Sequence, residues 1–369
     1  MDPENPKMDT EKEPVAESAT GPAKKPKWHR STWFRIIRTP LAVVVVLGII
    51  GCCIIQPGGT MEVDVKLRAD PAKLREEVRA LTEDFGGRFF DKPENMAKCR
   101  AYIRKKFAAA GAEVEEQAYP IPLWPGKEYN VRGFYGDRSK PRIVIGAHYD
   151  SCMAHDDGIN PGADDNASGV AGLFGLARLL QKERPDKVCI ELVAYSTEEP
   201  PFFGGEDMGS YRHAELLSKE GVEVKGVLVL EMIGYFTDEP KSQKYPSKLL
   251  KAMYPSEGNF IAVVGGFGDR KLISTCKAAM KGAAPLKVVS TCIPRSVDGV
   301  HLSDHRNYWE FDYDAVMITD TSFYRNPNYH MTTDTWDTLD YKRMAQVVTQ
   351  THQAVLALAN EVGENKKKK

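Results

Sequence analysis

The chain has 369 residues, 42% hydrophobic and 27% charged, with 50 Lys and Arg against 51 Asp and Glu. That length suits one large globular domain or two ordinary ones, and the balanced charge excludes a global field that would draw in nucleic acid or an acidic polymer. Seven cysteines with no C-x-x-C pair exclude a disulfide-stapled mini-domain, a zinc knuckle and a thioredoxin-like site. Cys52 and Cys53 fall in an apolar segment, which leaves Cys99, Cys152, Cys189, Cys276 and Cys292 for the globular part. A bridge between Cys276 and Cys292 is open only in an oxidising compartment.

Residues 1–27 are rich in Pro, Lys, Glu, Ala and Ser, a composition that cannot repay the entropy of ordering. Residues 1–38 are therefore expected to be a disordered basic tail. Lys24, Lys25, Lys27, Arg30, Arg35 and Arg38 carry no acid among them, and Leu41 to Ile55 then runs with nothing more polar than Gly and Cys. Fifteen helical residues reach about 22 Å against a hydrocarbon core of about 30 Å, so a span must recruit neighbours over 39–57. The positive-inside bias places the tail in the cytoplasm and everything after Pro57 outside. Ile49-Ile50-Gly51-Cys52 also resembles a lipobox, with lipid attachment at Cys52 as the alternative anchor. Ile54 and Ile55, which carry the apolar run past that cysteine, favour the uncleaved helix.

After the Gln56-Pro57-Gly58-Gly59 break, helices are predicted over 71–84 and 94–109 and strands over 112–119, 128–135 and 142–147. Helix 168–182, strand 188–195, helix 208–218, strands 227–232 and 260–264, helix 270–281 and strands 286–289 and 315–319 follow. A closing helix over 340–362 repeats Met344, Val347, Val348, Thr351, Val355, Leu358 and Val362 on one face. Such alternation predicts an α/β sandwich: one domain over 65–363 with a central mixed, mostly parallel sheet flanked by helices, preceded by the membrane helix. The lysines within 364–369 read as a solvated tail.

In open α/β sheets the ligand crevice lies at the carboxyl ends of the strands, and the chemistry-bearing residues fall there. His148 and Asp150 close one predicted strand, Glu198 and Glu199 follow another, and Glu231 ends a third. Pro161 to Asn166 adds Asp164 and Asp165 before a helix start, and His330 follows Tyr329 in the loop after the 315–319 strand. With Asp165, Glu199 and Glu231 as ligands beside neutral His148 and His330, three negative charges and a hydroxide balance two divalent cations. Without metal, the same carboxylates repel one another and must protonate. Oxygen and imidazole donors suit zinc, manganese or cobalt.

The series Gly146-Ala147-His148-Tyr149-Asp150-Ser151, Gly162-Ala163-Asp164-Asp165-Asn166-Ala167-Ser168-Gly169, Glu198-Glu199, Glu231-Met232-Ile233-Gly234-Tyr235, Ser303-Asp304-His305 and Tyr329-His330 resembles the M28 family of co-catalytic zinc aminopeptidases. The resemblance covers roughly 70–362. It implies a zinc-exopeptidase-like fold, two divalent metal ions with zinc foremost, and a peptide or small protein as substrate. It further implies that His148 and Glu231 bind one metal, Glu199 and His330 the other, with Asp165 bridging. Glu231 stands where many members have Asp, which keeps the carboxylate on a longer arm. Glu198 is then the general base that moves a proton from water to the leaving amine. Asp150, two residues from His148 on an extended chain, is expected to accept the imidazole N–H and orient the ring.

Other residues read more plainly. His155, Asp156 and Asp157 are expected to be solvated, His213 structural and Cys152 a bystander; Ser303-Asp304-His305 either shapes the substrate pocket or starts a helix. Loops 200–207 and 323–328 are expected to build the pocket. Two other readings compete with the peptidase: a glutaminyl-cyclase-like acyltransferase on the same fold, and a membrane receptor or scaffold that has lost catalysis. The sequence leaves the oligomeric state open.

Overall fold

The computed structural model describes residues 48, 51, 54–56, 58–122, 126–156 and 158–364. The expected tail, most of the expected membrane segment and Lys366 to Lys369 lie outside these residues. Among the described residues, no helix is long and apolar enough to cross a membrane.

The first helix, α1 (Pro71–Glu83), starts where the Asp70 side chain accepts the Ala72 amide and Pro71 presets the first turn. Its buried face is Leu74, Val78 and Leu81, at helical spacing. Helix α2 (Pro93–Ala109) follows, then β1 (Glu113–Pro120), β2 (Lys127–Tyr135) and β3 (Arg142–His148). A single tight turn, Ala163–Ser168, leads into α3 (Gly169–Lys182), which is buried along nearly its whole length and so has no polar face. The rest alternates as β4 (Cys189–Tyr195), α4 (Gly209–Lys219), β5 (Val224–Glu231), α5 (Lys248–Met253), β6 (Phe260–Gly265), α6 (Arg270–Ala283), β7 (Lys287–Cys292), α7 (His305–Trp309), β8 (Ala315–Thr319) and α8 (Tyr341–Glu364).

The eight strands form one sheet in the order β1-β2-β4-β3-β5-β8-β6-β7. Neighbours pair in parallel at β3/β4, β3/β5, β5/β8 and β6/β7 and antiparallel at β1/β2, β2/β4 and β6/β8, so the expected mixed, mostly parallel sheet is found. Strands β3 and β4 are buried at every position, because helices cover both faces. Period-two alternation sorts the residues of β3 and β5: Ile143, Ile145, Leu228 and Leu230 join the core under α1, α3, α6 and α8, while Val144, Val227 and Val229 join the core under α4, α5 and α7.

Helix α5 has no counterpart in the sequence reading, since an element of 6 residues is too short to display a period, whereas α7 begins at His305, one of the two readings of Ser303-Asp304-His305. Cys276 is a free buried thiol, so the bridge to Cys292 is not formed.

Candidate active site

His148 ends β3 and Glu231 ends β5, neighbouring parallel strands, so both side chains arrive at one edge of the sheet. Beside them β4 hands over to Glu198 and Glu199 through Thr197, and the loop beyond β8 returns His330. Three non-glycine residues at these hand-over points hold positive φ: Thr197 at 59°, Met232 at 48° and His330 at 58°. Left-handed backbone is costly for side-chain-bearing residues and persists where the surroundings fix it. Here it turns the chain sharply at the strand ends.

The turn Ala163–Ser168 shows why its motif alternates roles. Asp164 accepts the Gly234 amide at 2.9 Å and the Asn326 side-chain amide at 2.8 Å, and Ser168 Oγ accepts the Ile233 amide at 3.0 Å. Asn166 accepts the amides of Gly169 and Met232 and donates to Leu230 O. These three side chains bind the turn to the end of β5, which leaves Asp165 to face the two histidines. Gly169 is obligatory, since a Cβ would sit 2.4 Å from Asn166 Oδ1, and Gly162 holds φ +60° with a Cβ position 2.4 Å from Asp165 O.

Asp165 divides its oxygens between the imidazoles: Oδ1 lies 3.3 Å from His148 Nε2 and Oδ2 lies 3.1 Å from His330 Nε2. Glu231 Oε2 is 3.4 Å from His148 Nε2, and Glu199 Oε2 is 3.5 Å from His330 Nε2. Neither Nε2 atom meets hydrogen-bond geometry with any partner, although both rings are buried. A tetrahedral zinc with oxygen and nitrogen ligands at about 2.0–2.1 Å spaces those atoms about 3.3–3.4 Å apart. The four separations bracket that value, so this donor set fits divalent metal.

The electrostatics agree. Burial opposes a charge on either histidine, yet the surrounding carboxylates win: Glu231 and Glu198 lead in raising His148 well above its usual value, and Asp165 leads in raising His330. Burial would likewise raise Asp165, but the two histidines hold it below the usual carboxylate range. Glu199 is pushed up to about 7, first by burial and then by Asp165. Burial, helped by Glu199 and Glu231 against His148, lifts Glu198 well above the usual carboxylate range.

The expected pairing of Asp150 with the His148 ring is joined by two further contacts: the Asp150 carboxylate Oδ1 lies 3.5 Å from His148 Nδ1, the Asp150 backbone oxygen lies closer to the same nitrogen at 3.1 Å, and Asp150 Oδ2 accepts the Glu199 amide at 3.0 Å. His155 and Asp156 are exposed, as expected; the His155 ring also meets His330 edge-on at 5.1 Å and its amide donates to His330 O. Asp156 accepts the Thr332 amide and hydroxyl, and Asp157 lies outside the described residues. Cys152 lies at the site: its Sγ, a Glu199 oxygen and a His330 nitrogen lie within 4.8 Å of one another.

The other open readings resolve. His305 starts α7 and donates from Nε2 to Val300 O, so it builds the wall instead of facing the site. The adjoining Ser303 Oγ donates to Glu231 Oε2 at 2.7 Å. His213 is structural, placed between Glu191 and the Tyr308 hydroxyl.

Two supporting residues have no motif to announce them. Asp334 accepts the amides of Asp164 and Asp165, and Arg88, fully buried, donates to the carbonyls of Tyr149, Leu81, Pro161 and Gly162. A buried arginine with every contact on backbone carbonyls leaves no complementary acid to find in the sequence.

Asp165, Glu198, Glu199, Glu231 and His330 open onto a cavity of ≈ 210 Å³. Phe203 and Phe323 come from the loops expected to build it. Its far wall, with Leu250, Ala262, Val264 and Met317, comes from α5, β6 and β8 and is apolar.

The model of Peptidase family M28 matches residues 130–355. The uncharacterized protein YfbL of Escherichia coli (strain K12) is 46% identical over 283 residues, 76% of this chain and 86% of that protein. Leucine aminopeptidase 1 of Uncinocarpus reesii is 28% identical over 244 residues, 64% of this chain, which spans only 55% of that longer relative. The solved leucine aminopeptidase precursor of Bacteroides thetaiotaomicron shares the fold at a TM-score of 0.62 with 20% identity, covering 79% of this chain and 98% of that one. Glutaminyl cyclases share it too, the one from Fimbriiglobus ruber at a TM-score of 0.60 and 20% identity over 81% of this chain and 98% of its own. With the match to the family model spanning most of the chain and every strand-end residue of the site, this protein belongs to Peptidase family M28.

Proposed function

We propose that this chain is an aminopeptidase that removes N-terminal residues with large apolar side chains, using two divalent metals held by His148, Asp165, Glu199, Glu231 and His330. The observation that carries the reading is the division of the Asp165 oxygens between two buried Nε2 atoms that lack any other partner. Bound there, the metals would supply Lewis acidity to a peptide carbonyl and make a water nucleophilic near neutral pH.

The protein's own share follows from its side chains. Glu198, buried beside His148 at 4.0 Å and held well above the usual carboxylate range, is placed to take a proton from water and return it to the leaving amine. Asp150 fixes the Glu199 amide and its own carbonyl fixes the His148 ring, so one residue sets the aim of two metal-holding side chains. Tyr329 stacks on His330 at 3.7 Å and limits its rotation. The apolar cavity seats a side chain next to the acids, and its ≈ 210 Å³ exceeds the roughly 150 Å³ that accommodates benzene in an apolar protein cavity.

The fold is shared with glutaminyl cyclases and does not separate the two reactions. The apolar cavity favours the peptidase, because a cyclase must seat the polar side chain of glutamine. Incubating the chain with Leu-, Phe-, Ala- and Gln-initiated peptides, with chelator and zinc add-back, tests this. Release of free Leu and Phe that chelator abolishes and zinc restores supports the reading; a pyroglutamyl product from the Gln peptide without shortening would refute it.

The basic patch before Leu41 and the apolar run to Ile55 further support attachment to a membrane with the catalytic domain on the non-cytoplasmic face. Carbonate extraction together with protease accessibility in sealed vesicles checks both the anchor and the side.

A further inference from the structure

Beyond the five oxygen and imidazole donors, one sulfur lies in the same cluster. Cys152 Sγ, a Glu199 carboxylate oxygen and a His330 ring nitrogen are mutually within 4.8 Å, and all three residues are buried. Two neighbouring atoms are also unpartnered: His330 Nε2 and Glu199 Oε1 make no hydrogen bond, and their residues are 8% and 5% exposed. Burying such acceptors without a partner is costly, which marks the space between them and Cys152 as a place for a cation.

We propose that Cys152 is a ligand of the metal held by Glu199, His330 and Asp165, so that one half of the site carries a soft sulfur donor and the other only oxygen and nitrogen. The proposal rests on the two-metal reading above. A tetrahedral zinc with sulfur at about 2.3 Å and the other donors at about 2.0–2.1 Å has sulfur-to-donor edges of about 3.5 Å, inside the observed span. Asn160 Nδ2 donates to Sγ at 3.4 Å, a contact that fixes the direction of the sulfur. On binding, the S–H bond breaks, the sulfur keeps the electron pair and the proton leaves to buffer, one more than a variant lacking the thiol would release. Sulfur shifts preference towards thiophilic ions such as zinc and away from manganese at that position. Cys152 follows directly on the strand-end motif, so the thiol is delivered by the same hand-over that delivers His148 and Asp150.

Cobalt(II) reports the ligands directly. The 369-residue chain is stripped with chelator, titrated with cobalt and followed in the visible and near-ultraviolet, alongside Cys152→Ser. The expected result is visible ligand-field bands in both proteins and a near-ultraviolet sulfur-to-cobalt charge-transfer band in the wild type alone. Zinc competition should show one of the two ions weakened on the order of tenfold or more in the variant. Ligand-field bands without a charge-transfer band, or a charge-transfer band that survives in Cys152→Ser, would overturn the sulfur assignment and leave the oxygen and imidazole site standing. Absence of cobalt binding altogether would overturn the two-metal reading with it. As a check on the unaltered chain, iodoacetamide should label Cys152 in the stripped protein and not in the zinc-loaded one; equal labelling would refute coordination.

Discussion

Arg88 offers a demanding test of how the site is supported, because it touches none of the proposed ligands. Its guanidinium donates to Tyr149 O at 2.7 Å, Leu81 O at 3.0 Å, Pro161 O at 2.8 Å and Gly162 O at 2.8 Å. Tyr149 follows His148 directly and Gly162 stands three residues before Asp165, so one side chain clamps the two segments that Asp165 and His148 occupy. Arg88→Met removes all four bonds from a fully buried position and leaves the carbonyls unsatisfied. At about 1 kcal/mol net per hydrogen bond the loss is about 4 kcal/mol, a large part of the roughly 5–15 kcal/mol that holds a typical domain folded. Arg88→Lys keeps the charge but not the fork and should lose about 1–2 kcal/mol. Loosened segments should also weaken zinc about 10- to 100-fold, as expected when the groups that orient metal ligands are removed. Guanidinium denaturation of the stripped chain gives the first quantity and chelator competition the second. A Met variant within about 1 kcal/mol of wild type would refute the clamp; one that is destabilised but binds zinc normally would refute its role in positioning.

Other outcomes follow from the same geometry. Ala262→Leu intrudes on the apolar wall and should lower kcat/KM for Phe- relative to Ala-initiated substrates by about tenfold or more, the scale of a few methylenes in a hydrophobic pocket; an unchanged ratio would place the side chain elsewhere. Burial depresses His305 to about 3, so between that value and the ordinary 6.5 the unfolded chain binds a proton that the folded chain does not. Its neutral ring therefore favours folding least at acid pH, and stability contributed through it is lost as pH falls below about 6.5. His305→Gln should flatten the acid limb of stability by up to about 1.4 kcal/mol per pH unit, measured as the wild-type-minus-variant difference; parallel limbs would refute the assignment. Glu198→Gln should retain both metals and lose about 10²- to 10⁴-fold in kcat, whereas full activity would remove Glu198 from the base role.

What the sequence disclosed tracks how locally each feature is encoded. The strands β3, β4 and β8 were legible because burial on both faces leaves short apolar runs, and α8 because its apolar residues repeat over many turns. That His148, Asp165, Glu198, Glu199, Glu231 and His330 come together is legible because strand ends and the loops beside them converge on one edge of an open sheet. Asp150, two residues past the end of β3, does approach the His148 ring, but its bond to the Glu199 amide joins residues far apart in the chain and is not legible in the sequence. Arg88 and Asp334 carry no signal in the sequence because their partners are backbone groups, most of them far away in the chain. Cys152 stands next to a site motif in the sequence, but its approach to Glu199 and His330 is visible only in three dimensions.

The central claim is that Asp165 joins two metal positions, one towards His148 and Glu231 and one towards His330 and Glu199. Anomalous diffraction at the zinc edge from zinc-soaked crystals tests it most directly. The account predicts two peaks, each beside one of the histidine Nε2 atoms and both within bonding distance of Asp165, with both lost in Asp165→Ala. A single peak, or two peaks of which neither contacts Asp165, would contradict it.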